Sequence, residues 1–537
     1  MKTHYFLSTV AAACLLTACG GDTASNPGPV DTTPGRGALI QNPPPRTAFF
    51  TAGDFAAKLN ASAAGRNVLA VAGTPKCGVD VQYIRYGTVG GAGEATDASG
   101  ALMTPTGPGC TGARPVVLYA HATTIAKRFN MADLSNENNA AYNEAVLVAA
   151  TYAAQGFIVV APNYAGYDVS KLSYHPFVNA DQQSKEMIDA LAAARKALPG
   201  LLQPAQDSGK LFITGYSEGG HVAMATHRAL QAAGQTVTAS APLSGPYALL
   251  ALLDAVFYGN VTLGSTLFTP LVVNSFQKSY GNIYSQLTDI YEPAYAPGLD
   301  TLLPTDIPEA TLLGPGGKLP QTALFNRVPP TAPAGSAPLL QPLLNAITPP
   351  TTPAAKAPLF ALGFGASNLI TNQARLNYLL DAIAHPDGAV PVLTTGAQAD
   401  NPANPLRVAA KKNDLRNWTP TRPVLLCGGS SDPVVFYNLN TQLMQRLWSS
   451  PSPAAAAPGV LTVLDVDSAP SSASDPYAAA KAGFAQAKAN TAAAAVAAGA
   501  SDGGAAAVTQ DYHGSLVAPF CDVAARGFFQ SVLAAGI

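Results

Sequence analysis

Six short apolar runs recur along the chain, and helix-patterned stretches separate several of them. The runs are PVVLYAHA (115–122), FIVVAPN (157–163), LFITGYS (211–217), VTASAPLSG (237–245), PVLLCGGSSD (423–432) and VLTVLDVD (460–467). Each is rich in Val, Ile and Leu without polar alternation, which suits strands covered on both faces. NEAVLVAATYAAQG (143–156) and NADQQSKEMIDALAAARKAL (179–198) stand before the second and third runs as helices. This alternation predicts a mainly parallel α/β sheet. VQYIRYG (81–87) and SGALMTP (99–105) add an antiparallel pair ahead of it.

One interval breaks the rhythm. Far more chain separates APLSGPYALL (241–250) from RPVLLCGG (422–429) than one crossover requires. It holds helix-like pieces, LVVNSFQKSYGNIYSQLTDIYEPAY (271–295) and NLITNQARLNYLLDAIAH (368–385), and a Pro/Ala-rich piece, 328–358, with little structure of its own. Residues 248–417 are expected to form an inserted, mostly helical cap. A second excursion, 470–508, is alanine-rich and predicts a helix.

The N-terminus MKTHYFLSTVAAACLLTACGG has one early lysine, an apolar stretch too short for a bilayer, and small residues before a cysteine. Residues 1–18 read as a secretory signal. LTAC (16–19) resembles the bacterial lipobox, which makes Cys19 the lipidated first residue of the mature chain, and Gly20 after it favours the outer membrane or cell surface. Residues 19–46 read as a flexible tether, Gly/Pro/Thr-rich in their first half. Only 12% of residues are charged and the net charge is −2. No basic patch points to nucleic acid, so any membrane contact is expected through the lipid on Cys19 alone. Cys14 and Cys19 belong to the leader. The other four cysteines, Cys77, Cys110, Cys427 and Cys521, allow three pairings once exported. Cys77–Cys110 and Cys427–Cys521 are the favoured pair, with buried free thiols as the alternative.

GYSEG places Ser217 between Gly215 and Gly219, after a strand run and before a helix-compatible run. Gly-x-Ser-x-Gly alone is weak, but strand, motif and helix together make a nucleophile elbow. A serine hydroxyl needs a base to attack at neutral pH. Of seven histidines only His513, in TQDYHGSLVAPFC, follows the last strand run, in what reads as a Gly-containing loop. Asp432, past the Gly-Gly-Ser turn of PVLLCGGSSD, is the first candidate acid; Asp465, Asp467 and Asp511 are rivals. The oxyanion needs two amide donors. One is Glu218, directly after the serine, and the other comes from Ala122 or Thr123 in the HATT loop. His121, His221 and His227 read as structural. Tyr164 and Tyr167, in APNYAGYD, are candidates to line a substrate site. A Cys427–Cys521 bridge would tie the acid loop to the base loop.

GYSEGG, VLYAHATT, APNYAGYD, SGPYAL, LLCGGSSDPVV and DYHG together resemble the α/β-hydrolase superfamily of serine esterases. More narrowly they are similar to the secretory lipase group typified by Candida antarctica lipase A, and to its bacterial relatives. One departure is Ala122, where the usual pattern after the histidine is glycine. The resemblance implies the α/β-hydrolase fold, a mainly parallel eight-stranded sheet flanked by helices. The core would be 47–247 with 418–537, and 248–417 the helical cap. It implies carboxylic-ester hydrolysis through an acyl-enzyme, no cofactor and no metal. The expected partner is an ester with an apolar acyl or aromatic group. The alternatives are a serine peptidase of the prolyl-oligopeptidase type and a non-catalytic surface lipoprotein that kept the fold.

Overall fold

The computed structural model describes residues 34–202 and 205–536. The expected signal peptide, Cys19 and the first part of the tether lie outside these. Nine strands form one sheet: β1 Arg46–Phe50, β2 Gly78–Val89, β3 Ala95–Thr106, β4 Gly112–Ala120, β5 Ile158–Pro162, β6 Ala205–Tyr216, β7 Ala239–Leu243, β8 Val424–Gly428 and β9 Leu461–Asp465. Their order is β1-β2-β3-β5-β4-β6-β7-β8-β9. From β5 to β9 every pairing is parallel, and β1 to β3 are antiparallel to their neighbours. This is the α/β-hydrolase fold, with one strand more than the eight expected. The extra strand is β1, whose RTAFF sequence shows no long apolar run because it sits at the sheet edge, half-exposed.

The chain leaves β4 for β5 on one side and returns across β4 to β6 on the other. β4 and β6 thus flank a topological switch point, where open α/β sheets place their ligands beyond the carboxyl ends of the strands. The crossovers are α1 Tyr142–Thr151 and α2 Ala180–Ala197; α3 Glu218–Ala232 leads from β6 to β7. α2 is capped by the Asn179 side chain, which accepts from the Gln182 amide. Residues 34–45, which fall in the expected tether, lie against the sheet. Their Gly37 and Ile40 amides donate to the carbonyls of Gly87 and Arg85 at 2.8 Å, and Arg36 pairs with Asp189 at 2.9 Å. Together with β1 they cover the free edge of β2, whose unpaired amides and carbonyls would otherwise invite another strand.

Between β7 and β8 the insertion builds its own apolar core. Its main helices are α4 Leu249–Phe257, α5 Ser265–Tyr280, α6 Asn372–Ala384 and α7 Pro405–Asn413. The Pro/Ala-rich piece holds more structure than its composition suggests. Helices at Ala337–Ala346 and Ala357–Leu362 bury Leu340, Leu344 and Phe360, each helix starting with proline in its first turn. Buried ion pairs pin the insertion: Arg407 reaches Asp254 and Asp381 at 2.8 Å each, and Arg416 reaches Asp387 at 2.6 Å and Asp414 at 2.8 Å. The alanine-rich excursion is α8 Ala478–Ala497.

The chain ends with α9 Ala505–Asp511, a π-helical turn Tyr512–Val517, and α10 Ala518–Ala534 against the sheet. Asp522 on α10 is buried, with the Tyr152 hydroxyl donating to its Oδ1 at 3.1 Å. Burial pushes this carboxyl up to about 8. A folded-state pKa raised above the unfolded value gives stability that is complete below the unfolded value near 4 and lost as pH rises through 8. Asp522→Asn mimics the protonated acid. The variant should melt at the same temperature as the parent near pH 4 and a few °C above it near pH 8. Parallel melting curves across that range would remove Asp522 as the cause.

Candidate active site

β6 ends at Tyr216 and α3 begins at Glu218, so Ser217 alone makes the turn, with φ 59° and ψ −120°. Such a backbone costs an L-residue on the order of 1–3 kcal/mol and persists only where its surroundings fix it. Here the Ser217 amide donates to the Leu243 carbonyl at 2.9 Å, and its carbonyl accepts from the Gly220 amide at 2.9 Å. The glycines of the motif answer to a neighbour rather than to the turn itself. A Cβ on Gly219 would stand 2.0 Å from the Ala120 carbonyl oxygen, and one on Gly215 would stand 2.4 Å from the same atom. Without side chains there, the end of β4 and the loop after it press directly against the elbow.

Ser217 Oγ lies 2.7 Å from His513 Nε2, and His513 Nδ1 lies 2.7 Å from Asp432 Oδ2. The three residues come from the ends of β6, α9 and β8. Asp432 is 1% exposed. Its Oδ2 also accepts from the Ser244 hydroxyl at 2.8 Å, and its Oδ1 accepts from the Val434 and Val435 amides at 2.9 and 3.0 Å. A carboxylate filled this way acts as acceptor only. In the tautomer with its proton on Nδ1, His513 would donate to Asp432 and turn its Nε2 lone pair to the serine hydroxyl, an arrangement that can make a hydroxyl nucleophilic. None of the rival acids bonds His513, and two are engaged elsewhere. Asp467 Oδ2 accepts from the Tyr512 hydroxyl at 2.6 Å, Asp465 Oδ1 accepts from the Ser430 amide at 3.0 Å, and Asp511 makes no bond to His513.

His513 does not sit in a loop, as the glycine beside it suggested, but in the π-helical turn between α9 and α10. π-turns insert one extra residue and recur at functional sites. Two tyrosines seat this one. The Tyr216 hydroxyl donates to the His513 carbonyl, and the Tyr512 hydroxyl accepts from the Ser431 amide at 3.1 Å while donating to Asp467. Cys427 at the end of β8 is bonded to Cys521 on α10, and Cys77 to Cys110.

Three placements differ from the sequence reading. Ala122 does not offer its amide to the site, because it donates to Glu144 Oε1 at 2.9 Å. Tyr164 and Tyr167 line neither cavity described below. Both are fully buried behind the HATT loop, where their hydroxyls donate to the His121 and Thr124 carbonyls at 3.0 and 2.5 Å. Their side chains are wedged against His121 and His175 instead of facing outward. His121 is buried and stacked on Tyr164 with ring centroids 3.9 Å apart, and burial pushes it down to about 4, so it stays neutral. His221 meets the Asn413 carbonyl at 2.9 Å and His227 meets Ser240 Oγ at 2.8 Å, away from the serine.

Glu218 opens α3, so its amide is one of the unpaired N-terminal donors of that helix. Burial alone would push its carboxyl up. His175 Nε2 at 2.6 Å and the Gln183 amide at 2.7 Å outweigh that and hold it below the usual range. The roles of Glu144, His175, Ser244, Tyr216 and Tyr512 escaped the sequence reading. Tyr216, Ser244 and Tyr512 lay in the singled-out stretches GYSEGG, SGPYAL and DYHG without being assigned a role; Glu144 and His175 lay outside all of them.

Two depressions meet at Thr123, Phe268 and Val434, and the first of them reaches Ser217. One is apolar, lined by Leu249, Leu252 and Val256 of α4 and Phe268 and Val272 of α5, with Ser217, Glu218 and Thr123 at its base. The other is a polar groove bordered by Arg128, Asp133, Asn136, Asn138, Asp306 and Glu309.

Fold and likeness together define a hydrolase of the α/β-hydrolase kind, similar to solved esterases. The rice cell wall degrading esterase LipA from Xanthomonas oryzae matches with a TM-score of 0.56 and 25% identity, over 84% of this chain and 95% of that one. A ligand-bound form of the same esterase matches equally, at 26% identity. A Legionella pneumophila structure matches over 80% of this chain and 92% of that one with a TM-score of 0.52 and 20% identity, which speaks to the fold alone. No protein-family model and no curated protein matches the sequence.

Proposed function

We propose that this chain is an exported serine hydrolase that cleaves carboxylic esters through an acyl-enzyme, anchored by a lipid on Cys19. The observation that carries the reading is the unbroken relay from Ser217 Oγ through His513 to Asp432, at 2.7 Å for each link. His513 takes the hydroxyl proton as Ser217 attacks the ester carbonyl. The Glu218 and Thr123 amides receive the oxyanion, and His513 returns the proton to the leaving alcohol. Water then repeats the sequence on the acyl-enzyme. The apolar depression suits an acyl or aromatic group, and the polar groove suits the alcohol side. The Xanthomonas oryzae protein is called a cell wall degrading esterase, which fits a hydroxyl-bearing alcohol. Two buried disulfides are compatible with export.

A fluorophosphonate probe applied to intact expressing cells should label the chain at Ser217, and Ser217→Ala should abolish labelling. The purified protein should cleave p-nitrophenyl acyl esters at least a hundredfold faster than peptide p-nitroanilides. Absence of labelling leaves the non-catalytic reading standing; preference for the anilides selects the peptidase.

A further inference from the structure

The HATT loop is fixed at its His121, Ala122 and Thr124 carbonyls and at its Ala122 amide. Tyr164 holds the His121 carbonyl, Tyr167 holds the Thr124 carbonyl, and His121 Nδ1 lies 2.6 Å from the Ala122 carbonyl. The Ala122 amide is taken by Glu144 Oε1 at 2.9 Å, and the same oxygen accepts from the Tyr119 hydroxyl at 2.9 Å. Glu144 stands in the first turn of α1, where a carboxylate favours the helix end. Tyr119 is the penultimate residue of β4, the strand that feeds the loop. The Thr123 amide has no partner among the described residues, and Thr123 borders Ser217 in the apolar depression.

We propose that Glu144 is a positioning residue for ester hydrolysis: by claiming the Ala122 amide it turns the loop so that the Thr123 amide serves the oxyanion. This rests on the serine-esterase reading above. The residue acts by reach, not by charge. Burial pushes the Glu144 carboxyl up to about 7, so the neutral acid is well populated near neutral pH, and Oε1 accepts both bonds in either form. Glutamine keeps that oxygen in place. Aspartate keeps the charge but falls short by about one carbon–carbon bond, or roughly 1.5 Å.

Losing one oxyanion donor lowers kcat by about 10²–10³-fold. Glu144→Asp should therefore lower kcat for a p-nitrophenyl ester by roughly tenfold to several hundredfold, with KM within about threefold. Glu144→Gln should stay within about threefold of the parent in both. The reverse ranking, or Glu144→Asp with parental kcat, overturns the proposal. Loss shared equally by both variants, with KM rising in step, makes Glu144 a structural residue only and also overturns it. If Glu144→Asp does not fold, Tyr119→Phe removes the hydroxyl that steadies the carboxyl. It should lower kcat by about threefold or more at constant KM, and an unchanged kcat counts against the proposal. A parent that neither reacts with fluorophosphonate nor cleaves esters defeats the esterase reading itself, so the two failures are distinct.

Discussion

Replacing His513 with alanine should lower kcat for an ester substrate by about 10⁴-fold or more while leaving KM and the melting temperature close to the parent's. Without the imidazole the Ser217 hydroxyl has no acceptor for its proton. Asp432 cannot stand in, because its Oδ2 is bonded to His513 and Ser244 and its Oδ1 to the amides of the turn after β8, not to Ser217. Asp432→Asn should cost nearly as much by a different route. The carboxamide can present an N–H toward Nδ1, which favours the tautomer with its proton on Nε2, facing the serine. The His513→Ala, Asp432→Asn double variant should be scarcely worse than His513→Ala alone, since groups that act as one unit do not add. Kinetics on the four proteins test this. Additive losses in the double variant would mean that the two residues act independently, and the relay would have to be abandoned.

The elements that set this geometry were unequally legible in the sequence. The central strands announced themselves because burial on both faces leaves an unbroken apolar run, as in FIVVAPN. The elbow was readable because its Gly-x-Ser-x-Gly pattern stands between a strand run and a helix run, although what demands Gly219 is a distant segment, the Ala120 carbonyl. β1 was not readable, since an edge strand that only half-buries Ala48 and Phe50 needs no long apolar run. His513 was found by its order along the chain, yet its setting was misread: Gly514 suggests a loop, and a π-turn differs from one only through partners supplied by Tyr216 and Tyr512. Tyr164 and Tyr167 followed a strand end where ligands bind, but their stacking on His121 and His175 depends on chain brought from elsewhere. The same holds for Ala122, whose amide is claimed by a glutamate 22 residues away. The remaining gap is therefore one of orientation: the sequence locates residues near the site without saying which way they face.

Removing the Cys427–Cys521 bridge should cost both stability and, ahead of unfolding, activity. Its sulfurs close 94 residues of sequence, and in the chain-entropy model a loop of that length is worth roughly 4–5 kcal/mol; the 33-residue Cys77–Cys110 loop is worth slightly less, about 4 kcal/mol. Entropy alone makes the two bridges nearly equivalent, so position must separate them. Cys427 lies five residues before Asp432, and Cys521 eight after His513 on the helix that continues from the π-turn. Cys77 and Cys110 instead bracket β2 and β3, on the antiparallel side of the sheet. Both double alanine variants should unfold at lower denaturant. Only Cys427→Ala with Cys521→Ala should lose esterase activity ahead of global unfolding, because the base and the acid are then held together by packing and hydrogen bonds alone. Activity and far-ultraviolet circular dichroism followed through the same urea titration check this. The two curves should separate for that variant and coincide for Cys77→Ala with Cys110→Ala. Coincident curves for both would show that the π-turn is seated by Tyr216 and Tyr512 without help from the bridge.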